Sequence, residues 1–294
     1  MANLEELASN NGLVLLYHAV FEAIPDGLDG TLHNIPPKVM QRQLEHIGRC
    51  FEFTTLDALG AMKNPAGYAS VSFDDGYQCV LVEGLPVFER LSIPFTVYVN
   101  GGTIDGQPSW RDKVRLLENR GWIEEFEKQM QGIDPVPGKR FYRYSKMPVN
   151  NSESVDRELD RFLESRGGRE FLLEFLLNAP DQLVSHELLT WGNHSQNHYV
   201  MSSLNDEQIR SQIQATRDLL NLKKCRSSEW FSVPFGDVND FNERVAGIAT
   251  EMGYCGCLLS RYRLQGQPFH CYGHPALERY MPRSEQPDAG LGSY

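Results

Sequence analysis

Two pairs of side chains in this sequence have the types and spacing to hold a cation and move a proton. Asp74 and Asp75 are adjacent carboxylates followed by Gly76, at the end of the apolar run Ala69 to Phe73. Placing two carboxylates side by side costs about 1 kcal/mol of repulsion in water and more in a dry cleft. A fold that keeps them together usually has a positive charge to put there. Far downstream, His194 and His198 supply two imidazoles at i and i+4. On one helical turn their Cβ atoms would lie roughly 6 Å apart, which lets two ring nitrogens meet one metal at about 2.0–2.1 Å. One aspartate from a different strand end completes a face of two His and one carboxylate, with positions open for water and substrate. An isolated Asp-Asp-Gly is most often a solvated turn, and an isolated His-x-x-x-His most often a surface helix start. Here both occur, and Val233-Pro234-Phe235-Gly236 follows them.

In that order, the three segments resemble the polysaccharide deacetylase family with the NodB-type domain, carbohydrate esterase family 4. Ser72-Phe73-Asp74-Asp75-Gly76 matches its T-F-D-D-G motif, and His194, Ser195 and His198 match H-[ST]-x-x-H in full. Phe231 to Gly236 is similar to the third motif, R-x-P-[YF]-G, with Ser232 where the arginine would stand, as in one branch of the family. The likeness takes in Leu15-Leu16-Tyr17-His18 and Met281-Pro282-Arg283, so it spans nearly the whole chain. It implies a distorted (β/α)7 barrel. It also implies a metal-dependent hydrolase that removes an N-acetyl group from an amino sugar in a polysaccharide or glycan precursor. By the resemblance Asp75, His194 and His198 hold a divalent metal, Zn2+ first, with Co2+, Ni2+ or Fe2+ as alternatives. Asp74 is then the general base for a metal-bound water, and the Phe235 N–H holds the developing oxyanion. The family's usual proton donor sits in a Leu-x-His motif that is not evident here. His18 and His274 are the candidates for that role, with His270 in the same region as His274. Arg279 or Arg283 could replace the missing arginine. Tyr77, Trp110, Pro234 and Phe235 are candidate substrate contacts, Tyr77 and Trp110 with a core role as the alternative, while His33, His46 and His186 read as surface or structural.

Composition bounds the alternatives. A 294-residue chain with 41% hydrophobic and 23% charged residues is an ordinary globular length and make-up. The formal charge of −11 argues against a nucleic-acid partner, which would demand clustered Lys and Arg. The acidic start Met1 to Glu6 has no basic region and no long apolar run, so it reads as neither secretory signal nor transmembrane segment, and the cytoplasm is the expected compartment. Six scattered cysteines then read as reduced core thiols. The expected partner is an N-acetylated sugar or glycan. Two other readings are an amidohydrolase of a small non-sugar amide and a catalytically weak carbohydrate-binding relative, the latter resting on Ser232 and the missing Leu-x-His.

These residues need strands ending in loops at one end of a parallel sheet. Gly12 to Val20, Ala69 to Phe73, Ile93 to Asn100, Leu188 to Trp191, Trp230 to Val233, Cys255 to Leu259 and Glu278 to Pro282 read as strands, with a further short one from Phe51. Helical spacing covers 37–49, 79–90 (with Pro86 as a bend), 205–222 and 239–252. The pattern predicts βα units in one domain over 1–294, with a mostly helical insertion at about 110–189.

Overall fold

The computed structural model describes residues 4–28, 32–237, 239–261, 263–264, 266–283 and 288–291. Met1 to Asn3 of the acidic start lie outside the described residues. Nine strands form one sheet: β1 (Leu13–Tyr17), β2 (Glu52–Phe53), β3 (Tyr68–Phe73), β4 (Phe95–Val99), β5 (Leu189–Asn193), β6 (Ser227–Ser232), β7 (Gly256–Leu259), β8 (Phe269–Cys271) and β9 (His274–Glu278). The row β1-β3-β4-β5-β6-β7-β9 is parallel throughout. β2 flanks β3, and β8 forms an antiparallel hairpin with β9. Beyond β9, Tyr280 returns to β1: its N–H donates to Val14 O at 2.8 Å and its carbonyl accepts from Leu16 N at 2.8 Å. Those two bonds join the ends of the row, and the fold is the expected distorted (β/α)7 barrel.

Strand parity sorts the core into two layers. Successive residues of a strand point to opposite faces, and parallel strands covered on both faces read as continuous apolar runs, as all-buried Leu13–Tyr17 and Phe95–Val99 do. One set (Leu15, Tyr17, Val71, Phe73, Phe95, Val97) packs outward with the helices. The other (Val14, Tyr98, Trp230, Leu258, Leu277) packs with Leu56 and Leu59 in a separate cluster inside the ring.

Three local expectations change. The final strand is His274–Glu278 and not 278–282, because Tyr272 (φ 53°) and Gly273 (φ 79°) form a two-residue hairpin turn just before it. The 79–90 helix opens as a π turn, Val80–Gly84, whose Leu85 N–H reaches Val80 O, and continues as Leu85–Leu91. Pro86 has no N–H to offer Val82, which favours this looser register. The cysteines are all free, but Cys255 is exposed and only Cys79 and Cys257 are buried.

Between β4 and β5 every regular element is helical, from Gly101–Ile104 to Pro180–Gln182. Helix Trp110–Asn119 is capped by Ser109, and Ser152–Glu164 by Asn151. Among the described residues no helix is long and apolar enough to cross a membrane.

Candidate metal centre and cleft

The inward parity of the strands, carried one step past their C-terminal ends, assembles the site. Val14 and Leu16 lead to His18, Ser70 and Ser72 to Asp74, Thr190 and Gly192 to His194, Trp230 to Ser232, and Leu277 to Arg279. Asp74, Asp75, His18, His194 and His198 line one cleft of about 530 Å³ at this end of the barrel, the end where barrels of this kind carry their chemistry.

β3 stops at Phe73, and Asp75 (φ 72°) and Gly76 (φ 75°) both take the left-handed conformation. The pleat therefore breaks at the point that lets consecutive aspartates reach the same cavity. The histidine pair is not on a helical turn, contrary to the sequence reading. His194 to His198 is a loop, with Ser195 at φ 67° and His198 at φ 56°. Ser195 Oγ accepts from the His198 N–H at 3.1 Å, while Asn193 Oδ1 accepts from Ser195 N at 2.9 Å. This folds the rings together, with centroids 4.7 Å apart. The loop is pressed against the start of the next segment, where a Cβ on Gly102 would lie 2.3 Å from Asn197 Oδ1 and 2.8 Å from Gln196 O. Only glycine fits there.

Asp75 Oδ1 lies 3.5 Å from His194 Nε2 and 3.2 Å from His198 Nε2. Three donors each about 2.05 Å from a tetrahedral ion would sit about 3.3 Å apart. Asp75 Oδ1 is also buried without a hydrogen-bond partner. These residues fit a divalent cation, and among the described residues they are the group of His, Cys and acidic side chains that could hold one. His194 Nδ1 donates to Ser232 O at 2.9 Å, which leaves the Nε2 lone pair available to a cation. Burial pushes His198 down to about 3, with Asp75 opposing. Burial works against ionised Asp75, yet the His198 and His194 rings hold it well below the usual carboxylate range.

Asp74 is gripped from the far side. Arg279 Nη1 donates to Oδ1 at 2.8 Å and Nη2 to Oδ2 at 2.7 Å, and Ser232 Oγ donates to Oδ1 at 3.0 Å. Burial would raise its pKa, but the Arg279 guanidinium outweighs that and keeps it below the usual range. Of the two arginines considered from sequence, Arg279 reaches Asp74, while Arg283 is exposed.

His18 Nδ1 lies 3.3 Å from His33 Nδ1, and His33 Nε2 lies 2.6 Å from Pro282 O. A carbonyl can only accept, so the proton on His33 is at Nε2 and its Nδ1 accepts from His18 Nδ1–H. His18 is left with a lone pair at Nε2. Burial lowers the pKa of both rings, that of His33 to about 3. His33 is thus a cleft residue, contrary to the surface or structural reading; no sequence pattern links it to His18.

Other expected site residues lie elsewhere. His274 starts β9 at the opposite end of the barrel and meets Thr250 Oγ1 at 3.0 Å. His270 is exposed on β8. Tyr77 is fully buried, donating to Asp112 Oδ1 at 2.8 Å while Arg115 bonds both. Trp110 is fully buried too, and its Nε1–H donates to His198 O at 2.7 Å. Both aromatics brace the site from behind its wall, because each found a polar partner distant in sequence. Pro234 is buried in the turn, and Phe235 (φ 63°) reaches the cleft, edge-on to His198 at 4.6 Å.

A sequence profile described as polysaccharide deacetylase matches residues 61–126 and 181–256. No curated protein sequence matches the chain. Among solved structures, the chain is similar to the Streptococcus pyogenes deacetylase PplD in complex with acetate, at 14% identity and TM-score 0.57, with 95% of this chain and 96% of that one covered. It is similar to IcaB from Ammonifex degensii at 17% identity and TM-score 0.56, covering 97% and 98%. A putative polysaccharide deacetylase from Bacillus anthracis aligns at 12% identity and TM-score 0.56, covering 96% of this chain and 69% of that one. At these identities the structural likenesses establish the shared fold, and residues 61–126 and 181–256, just under half of the chain, match the polysaccharide deacetylase family.

Proposed function

We propose that this chain is a metal-dependent hydrolase that removes an N-acetyl group from an amino sugar in a polysaccharide or glycan precursor. The observation that carries this reading is the Asp75, His194 and His198 donor set with an ionised, uncoordinated Asp74 beside it, 3.6 Å from His194 Nε2. Two nitrogens and one oxygen at tetrahedral spacing suit Zn2+ first, with Co2+, Ni2+ or Fe2+ as alternatives. The bound ion supplies Lewis acidity for a water and for the amide carbonyl.

Asp74 acts as general base. Arg279 and Ser232 fix its plane, and the remaining lone pair on Oδ2 accepts the proton of the attacking water. Among the described residues no acceptor takes the Phe235 N–H, which leaves that donor for the developing oxyanion. His18, with its free Nε2, takes up a proton and returns it to the departing amine. His274 is too far away for that task. The ring of Phe235 gives the sugar an apolar face. Residues 1–294 are read as one domain in which the helical segment from about 110 to 189 is an insertion.

The test is acetate release from N-acetylglucosamine and its oligomers by protein loaded with Zn2+. Turnover that is lost on chelation and restored by the ion supports the reading. No acetate release from any N-acetyl sugar, with metal bound, rejects it.

A further inference from the structure

The wall of the cleft supplied by the helical insertion is cationic in a chain whose net charge is −11. Arg111, Arg115, Lys139, Arg143 and Lys146 all line it. Arg115 is committed to Asp112. Among the described residues the other four have no carboxylate at ion-pair distance. Arg111 is the informative one, because it is only 3% exposed. A guanidinium buried to that degree is normally paired. This one makes two long bonds, to Ser145 Oγ and Tyr142 O, both at 3.3 Å, and stacks on Trp110, Tyr142 and Phe235. Two of its five N–H donors are thereby used.

The position fits a second substituent of the same substrate. Phe235 lies between His198 and this wall: His198 meets its ring at 4.6 Å, while Arg111 Cζ and Lys146 Nζ lie 5.6 and 5.1 Å from its centroid. The carboxylates lining the same cleft are largely spoken for, Asp74 by Arg279 and Asp75 by the metal face. Asp237 and Asp240 also line the cleft, two carboxylates beside four cations. The Tyr142 hydroxyl reports the same field: burial would raise it, but Arg111, Arg115 and Lys146 bring it down to about 8.

We propose that this wall is a subsite for a phosphate group carried by the N-acetylated sugar, so that the substrate class is a sugar phosphate or diphosphate and not a neutral glycan. The proposal rests on the deacetylase reading for the word substrate, but the subsite itself does not. Several cations around one buried guanidinium exceed what a single carboxylate needs, and match the charge of a phosphoryl or diphosphate group.

The first test is calorimetric titration of the full chain with inorganic pyrophosphate. Lys146→Met and Arg143→Ala, on the rim, should each weaken binding several-fold, and Arg111→Met by tenfold or more. Asp75→Asn should leave it unchanged, because the metal face is not the anion site. Equal affinity in wild type and in the rim variants, or a loss confined to Asp75→Asn, overturns the proposal even if Arg111→Met fails to fold. The second test is acetate release from N-acetylglucosamine, its 1-phosphate, its uridine diphosphate conjugate and an N-acetylated uronic acid. A kcat/KM at least tenfold higher for the phosphorylated probes, collapsing in Lys146→Met while the rate on the neutral sugar holds, is the expected result. The monophosphate and the nucleotide conjugate tell a single phosphate from a diphosphate. A preference for the uronic acid or for the neutral sugar overturns the phosphate assignment. Pyrophosphate binding that the wall variants abolish, with no acetate from any probe, upholds the subsite and rejects the deacetylase reading.

Discussion

Arg279 and Asp74 meet through two parallel hydrogen bonds, Nη1 to Oδ1 at 2.8 Å and Nη2 to Oδ2 at 2.7 Å, with both side chains almost fully buried. The cation that the third motif would bring at position 232 arrives instead from the end of β9, and Ser232 adds its hydroxyl to the same carboxylate. Arg279→Met strands a buried charge, so it should cost about 3–5 kcal/mol of stability. Arg279→Lys keeps the charge but loses the fork. It should fold and bind metal while kcat falls about tenfold or more. Thermal unfolding and acetate release on the two variants check this, and wild-type kcat in Arg279→Lys would show that the fork is not needed.

The two aspartates separate by substitution. Asp74→Asn should retain metal and lose about 10²–10⁴ in kcat, the usual scale of general base catalysis. Asp75→Asn, His194→Ala and His198→Ala should each bind metal at least about tenfold more weakly, since even outer partners of metal ligands cost that much. Metal content by elemental analysis, measured beside kcat, decides between the roles. Metal lost in Asp74→Asn and kept in Asp75→Asn would exchange them.

His33 should act through His18. His33→Phe removes the acceptor at 3.3 Å that fixes the His18 tautomer, so kcat should fall about tenfold while metal content stays unchanged. A shift in the pH profile of kcat on the acid-dependent limb accompanies it if His33 positions a proton carrier. Wild-type kcat with a wild-type profile would make the pair a packing contact only.

Asp240 gives a pH dependence of stability. Burial pushes its carboxyl up to about 6, against the opposing pull of Lys146. Its folded pKa is raised above the unfolded value of about 3.9, so its contribution is fully present below that value and is lost as pH rises through about 6. Asp240→Asn should therefore stabilise the protein at pH 8 by on the order of 1–2 kcal/mol and have little effect at pH 4. Melting curves at the two pH values test the sign.

The candidate metal donors were legible because their chemistry is written in short segments, two aspartates before a glycine and two histidines four apart. The conformation of the second segment was not. Helical and looped His-x-x-x-His look alike in sequence, and the left-handed Ser195 and His198 are stabilised by Asn193 Oδ1 and by contact with Gly102. Long-range partners decided the rest. Tyr77 and Trp110 read equally as cleft or core aromatics, and their bonds to Asp112 and the His198 carbonyl place them in the core. His33 gave no signal because its partners, His18 and Pro282, are scattered along the chain. The barrel itself was readable from buried strand runs, whereas the β8–β9 hairpin hid in a turn that only its positive φ values reveal.

Tyr280, whose backbone joins β9 to β1, is the neighbour of Arg279. Ring closure and alignment of Asp74 are therefore mechanically coupled: a displacement of the segment after β9 away from β1 also draws the Arg279 guanidinium off its carboxylate.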